Sequence, residues 1–222
     1  KFVVLPLAVI VVIVVAIGAY ITATFNPNSY KPEIIKAVKD KTQRTLKLDG
    51  DIKLSLFPSI GATLGKASLS ERGNDKEFAG VDDLRVAVKL MPLLSKEVVV
   101  DTVEVKGLRA HLLRHKDGKT NIDDLMGGGD KAAPAGTQVK IDIDHVAIVN
   151  AALTYADEAA GAKYALSKLN LKTGRIAVGV PSKIDLSVTA QSDKPKLNLE
   201  LALKTGVTFD LDKQHYVLDG LD

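Results

Sequence analysis

The chain has 222 residues with a formal net charge of +3, five Phe, five Tyr, no Trp and no Cys. Without cysteine, disulfides and thiolate metal sites are excluded, and the periplasm and the cytoplasm suit the chain equally. A charge this small and so few aromatics provide neither the basic footprint nor the stacking platforms that nucleic acid requires, so any core must be aliphatic.

The first element is an uncharged run, FVVLPLAVIVVIVVAIGAYI, from Phe2 to Ile21. Twenty helical residues span about 30 Å, the hydrocarbon thickness of a bilayer, whereas a cleavable signal has an apolar region of only about 7 to 15 residues. Residues 1–24 are therefore expected to form an uncleaved transmembrane anchor, with Pro6 in its first turns and Tyr20 and Phe25 at the interface. Small residues such as Ala16, Gly18 and Ala23 leave cleavage as the alternative. The chain opens on Lys1 rather than Met and stops as a strand-like stretch is closing, so both ends are read as incomplete.

Residues 25–45 read as a juxtamembrane helix, with Ser29 as cap, Pro32 in the first turn, and Ile34, Ile35 and Val38 on one side. Lys31, Lys36, Lys39, Lys41 and Arg44 could set it against anionic head groups of the inner membrane. A solvated helix face beside the first strand is the other reading.

From Leu46 the pattern changes to period two: LKLDGDIKLSLF, LRVAVKL, VVVDTVEVKGL, VKIDIDHVAIV, SKIDLSVTA and KLNLELAL. Such alternation marks half-buried strands, and punctuation at Gly61, Gly65, RGND, KDGK, Gly161, Gly174 and SDKP suggests an up-and-down meander. In the first strand, Ile52, Leu54 and Leu56 share one face, with Lys53 and Ser55 on the other. The stretch GGGDKAAPAG, within residues 127–137, reads as a flexible linker between a first β segment, 46–126, and a second, 138–222, that continues beyond the chain end. On either side of it DTVEVKG from Asp101 and DHVAIVN from Asp144 form a weak internal echo.

No catalytic set assembles from the sequence. Gly118, Lys119 and Thr120 resemble the tail of a phosphate loop, but Leu113 stands where its first glycine belongs, and a hairpin turn on Asp117 and Gly118 is expected instead. Of the histidines, His111 and His115 would lie about 13 Å apart on one strand face, too far for one ion; His145 and His215 add no cluster, and neither metal nor cofactor is expected. Ser68 lacks a nucleophile elbow, and the pairs Asp82/Asp83 and Asp123/Asp124 are read as turn and solvent residues on opposite strand faces. The chain is expected not to be an enzyme.

Several stretches resemble the AsmA family of bacterial envelope proteins over about residues 46 to 190, plus the anchor. These are LKLDGDIKLSLFPSIGATLGKASLSE with its Phe57-Pro58 step into Gly61, the MPLLSKE segment from Met91, and the strand ending in Asp117, Gly118, Asn121 and Leu125. VAIVNAALTYAD through Leu169, Asn170 and Leu171 to Gly179, Val180 and Pro181 continues the pattern. The resemblance implies a mainly β fold: one transmembrane helix, a short juxtamembrane helix, then a curved antiparallel sheet, folded like a taco or extended as a repeating β-groove. It also implies an inner-membrane-anchored periplasmic protein that moves phospholipid between the inner and outer membranes in support of outer-membrane biogenesis.

In that reading the aliphatic face solvates acyl chains. The candidate lining residues are Ile52, Leu54, Leu56, Val86, Val88, Val103, Val105, Ile141, Ile143, Ile184, Leu186, Leu197, Leus at 199 and 201 (Leu199, Leu201), with the inward face of each strand left open. The alternative is a closed, lipid-free sandwich that tethers envelope protein partners. Charge opposes a periplasmic placement, because the basic residues follow the anchor and only Lys1 precedes it.

Overall fold

The computed structural model describes residues 25–56, 59–94, 99–126, 142–210 and 215–220. The expected anchor, residues 1–24, and the expected linker, 127–137, lie outside them. Among the described residues no helix is long and apolar enough to cross a membrane.

A 3-10 turn, Pro27–Tyr30, leads into helix α1, Lys31–Thr42. Ser29 does not cap α1: its Oγ donates to the Asn26 carbonyl at 2.7 Å, Asn26 caps the 3-10 turn, and Tyr30 precedes α1 without a side-chain cap. Helix α1 buries no residue, and it ends at Gln43, whose φ of 58° turns the chain out of the helix.

Beyond α1 the described strands join in one sheet: β1 (Leu46–Leu48), β2 (Ile52–Ser55), β3 (Ser59–Leu64), β4 (Ala67–Ser70), β5 (Glu77–Val81), β6 (Asp83–Lys89), β7 (Val100–Lys106), β8 (Arg109–Arg114), β9 (Asp142–Asp157), β10 (Ala162–Thr173), β11 (Ile176–Ala177), β12 (Ser182–Asp193), β13 (Lys196–Asp210) and β14 (His215–Asp219). Two short helices, α2 (Leu90–Leu94) and α3 (Asp123–Met126), sit in connections.

The early strands are halves of longer ones. β3 and β4 run antiparallel to β6 and β5 in a single register, and β6 with β5 runs likewise against β7 and β8. A meander of long strands therefore reaches β8, as the turn residues foretold. The next junction departs from the expected antiparallel sheet: β7 and β8 both pair with β9 in parallel, Val103 opposite Val146 and Leu112 opposite Tyr155. Parallel neighbours need a crossover of a dozen residues or more, and residues 115–141 provide that length. Antiparallel pairing then resumes from β9 through β14.

The internal echo is spatial. Residues separated by 43 in sequence stand side by side across the parallel junction, where His111 Nδ1 meets Thr154 Oγ1 at 2.8 Å. Below them Arg114 meets Asp157 and His115 meets Glu158 at the same separation of 43.

The buried apolar residues among those described are Phe78 and six alanines, Ala67, Ala87, Ala147, Ala151, Ala162 and Ala177. No Leu, Ile or Val joins them. A closed sandwich would bury its alternating aliphatics, so the described residues do not form one.

Candidate functional site

β12 alternates without interruption, and residues paired directly across neighbouring strands share a face. Following the registers outward from Ile184, Leu186 and Val188 assigns a face to each strand. Leu186 leads to Leu171, then Ile148, Val105, Leu84, Leu64 and Ile52, an aliphatic row that crosses from β12 to β2. A second row runs parallel to it, from Leu199 through Ala190, Leu166, Leu153, Ala110 and Ala79 to Leu69 and Leu46.

Between these rows the phase of alternation slips by one in five successive strand lines. Leu64 and Ala67, Leu84 and Val81, Val105 and Ala110, Ile148 and Leu153, and Leu171 and Leu166 are each an odd number of positions apart, yet each pair lies on one face. The slips align as a crease across the sheet, the work of bulges, which bend strands and increase twist. Gly107, Asn150 and Lys168 take positive φ along this line, 61°, 54° and 50°. Side chains satisfy the backbone groups the bulges free. Arg109 Nη1 donates to the Gly107 carbonyl at 2.8 Å and to Asp82 Oδ1 at 2.9 Å, while the Asn170 amide accepts from Asn150 N–H and donates to the Lys168 carbonyl. Arg109 Nε also donates to Glu77 Oε1 at 3.3 Å, and the bonds it donates to Asp82 first and Glu77 second hold its pKa above the ordinary value, with burial opposing.

The aliphatic face is open. Leu197, Leu199 and Leu201 are 51%, 48% and 44% exposed, and Leu54 and Val86 are each 39% exposed. Most of the other aliphatics here are half-buried although no second layer of described residues covers them, because neighbouring side chains on the sheet shield one another. The opposite face carries Lys53, Arg85, Lys106, Lys172, Lys183, Asp185 and Lys204, all exposed.

Ile52, Leu54, Val86, Val88, Val103, Val105, Ile184, Leu186, Leu197, Leu199 and Leu201 thus lie on one face, and Leu56 follows β2 in the same phase. Ile143 joins them by register, because Val88 pairs with Val100 and Val100 with Ile143, a further slip separating it from the phase of Val146 and Ile148. Ile141 lies outside the described residues. Sequence reasoning missed Ile60, Leu64, Leu84, Val146, Ile148, Leu153, Leu166 and Leu171. A signal existed for two of them: consecutive polar residues, Asp144 and His145, interrupt the alternation between Ile143 and Val146.

The basic cluster divides. Lys36 pairs with Asp40 at 2.6 Å, Lys39 reaches Thr45 at 3.1 Å, Lys41 is exposed, and Lys31 lies 3.7 Å from Asp51 on the first strand connection. Arg44 corrects the expectation of a membrane-facing residue, because it is 0% exposed. Its Nε and Nη2 grip both oxygens of Asp124 at 2.8 and 2.7 Å, Nη1 donates to the Ser70 carbonyl, Nη2 to that of Asn121, and the group lies 4.5 Å from the centre of the Phe78 ring. A guanidinium taken from water needs this many partners. Asp124 is accordingly no solvent carboxylate, and it sits with Asp123 on one helical turn rather than on a strand.

Among the described residues no group of three or more His, Asp or Glu side chains could hold a metal ion. The turn expected at Asp117 and Gly118 is present: His115 N–H donates to the Lys119 carbonyl at 2.8 Å, and Gly118 has a φ of 85°.

The described residues make a mainly β protein: one large sheet with a charged face and an aliphatic face, and few helices. The model of the AsmA family matches residues 1–217, and the chain belongs to that family. It is similar to Protein AsmA of Escherichia coli (strain K12), 27% identical over 128 residues, which make up 58% of this chain and 21% of that protein. The match therefore spans about a fifth of the relative's length.

Proposed function

We propose that this chain is the membrane-proximal part of an inner-membrane-anchored periplasmic protein whose aliphatic face carries phospholipid acyl chains between the inner and outer membranes. Membership of the AsmA family supports an envelope role. The observation that carries the lipid reading is the continuous aliphatic row from Ile52 to Leu186, each of its residues half-buried rather than buried. Contiguous apolar surface of this extent is rare on soluble monomers unless it has an occupant.

Each methylene removed from water contributes about 0.8 kcal/mol, so a long acyl chain lying along such a wall avoids a penalty of roughly ten kcal/mol. The face supplies a path and needs no reacting group. The twenty uncharged residues from Phe2 to Ile21 would tether that path to the bilayer from which lipid enters.

Photo-crosslinking residues placed at Leu54, Val88 or Leu186 test the reading. Capture of phospholipid at all three is the expected result; capture of protein alone would favour an envelope adaptor and overturn transport. Orientation is checked separately by protease treatment of spheroplasts, where digestion confined to lysed cells would reverse the assignment to the periplasm.

A further inference from the structure

On the groove face the paired rows change chemistry toward the turn joining β9 and β10. Nearest the crease the row is Leu153, Leu166, Ala190 and Leu199; the next is Tyr155, Tyr164, Ser192 and Leu197; the last is Arg114, Asp157 and Ala162. Hydrocarbon gives way to phenol and then to charge within three rows. The opposite margin differs in its charge: its rows are Thr173, Ile184 and Thr205, then Ser182, Val207 and Leu218, then Phe209 and Tyr216, so it carries a tyrosine but no arginine in these rows.

The two tyrosine rings stack with centroids 6.0 Å apart, and Tyr164 is 43% exposed. Tyr155 Oη donates to Asp157 Oδ2 at 3.3 Å, and Arg114 Nη1 donates to the same oxygen at 3.3 Å. Asp157 also accepts the Ala159 and Ala160 N–H groups, so it stays in place as the anchor of the turn. The Arg114 side chain remains 48% exposed, with its other guanidinium N–H groups unengaged by the described residues. A depression of about 650 Å³ at this end of the sheet is lined by Tyr155, Tyr164, Ser192 and Leu197 together with residues of the other phase such as Lys163 and Lys196, and Arg114 stands outside it.

Aliphatic, tyrosine and cation in that order is the layering of a bilayer interface, where amphipathic rings sit at the ester level and cations meet phosphate. We infer that this margin is where a glycerophospholipid places its head group: Arg114 donates to the phosphate, the Tyr155 and Tyr164 rings pack at the glycerol level, and the acyl chains lie toward Leu153, Leu166 and Leu199. The inference rests on the lipid reading above and adds a direction to it. Lipid in the groove is polarised across the strands, with its head group on one rim.

The test uses the whole chain in detergent micelles with two photoactivatable phosphatidylglycerols, one carrying its diazirine on the head group and one at the end of an acyl chain, followed by peptide mapping. The head-group probe is expected to label the Arg114 and Tyr155–Tyr164 peptides, the tail probe those of Leu153, Leu166 and Leu186. Arg114→Gln should lower head-group labelling at least threefold and leave tail labelling unchanged. Inorganic phosphate in excess should not compete; full competition would reassign Arg114 to free phosphate and overturn the inference. Head-group labelling at the Ser182 and Leu218 margin, or equal labelling by both probes, overturns it while the lipid reading stands. Absence of labelling by either probe removes the lipid reading and this inference together. Should Arg114→Gln lower the melting temperature, Arg114→Lys keeps the charge beside Asp157 and must retain head-group labelling; its loss there would also count against the inference.

Discussion

Gly107 and Asn150 occupy matched positions on neighbouring parallel strands, in the register that places residues 43 apart side by side, and both take positive φ, 61° and 54°. Each is the point at which its strand changes phase. The aliphatic face therefore passes the crease intact, whereas unbroken alternation would turn it to the charged side.

The two positions should differ in tolerance. A Cβ on Gly107 would overlap the Asp82 carboxylate, which Arg109 holds in place at 2.9 Å. Gly107→Ala is expected to cost about 2 kcal/mol or more from left-handed backbone strain and displacement of Asp82. Asn150→Gly should change stability by less than about 0.5 kcal/mol, since asparagine already adopts this conformation at little cost. Urea unfolding followed by circular dichroism compares them, and equal losses would contradict the crease as described.

Arg44 ties the end of α1 to the turn at Asn121–Asp124. Arg44→Ala leaves the half-buried Asp124 carboxylate without its cation and is expected to cost about 2 to 4 kcal/mol. Arg44→Lys keeps the charge but lacks the fork that grips both Asp124 oxygens, so a loss of intermediate size is expected. A melting temperature for Arg44→Ala unchanged from the parent would show that this network contributes nothing.

Acid should weaken the same tie. The Asp124 pKa lies below the ordinary 3.8, chiefly through its hydrogen bond from Arg44, with burial opposing. Asp157 is lowered too, first by the Ala160 N–H. A carboxylate with a depressed folded pKa contributes stability above its unfolded value and loses it as pH falls through the folded one. Urea midpoints are therefore expected to be flat between about pH 7 and 5 and to fall below about pH 4. Asp124→Asn should shrink that fall; an acid slope identical to the parent's would exclude Asp124 as a contributor.

Charge introduced on the groove face separates an open surface from a covered one. Leu199 is 48% exposed, so Leu199→Asp is expected to cost less than about 1 kcal/mol while reducing the phospholipid that co-purifies, measured by mass spectrometry. Ala151 is 1% exposed at the crease, and Ala151→Asp should cost several kcal/mol, roughly 3 or more, because an unpaired carboxylate would be buried. If Leu199→Asp were as disruptive as Ala151→Asp, the face would have to be covered.

By itself the amino-acid order determined the local pattern: an apolar run of bilayer length, a short basic helix, and then strands whose alternating side chains form one greasy and one charged side. It determined these because alternation, turn residues and glycine act over a few bonds. Only the tertiary structure decided which aliphatic rows join. Phase is lost at each bulge, so Val146, Ile148 and Leu171 were passed over. Pairing across a long connection was equally hidden, which is why β9 is parallel to β7 and β8 and why Arg44, placed by its sequence among surface lysines, is buried against Phe78 and Asp124. Such contacts depend on which distant strands hydrogen-bond, and that is a property of the whole sheet.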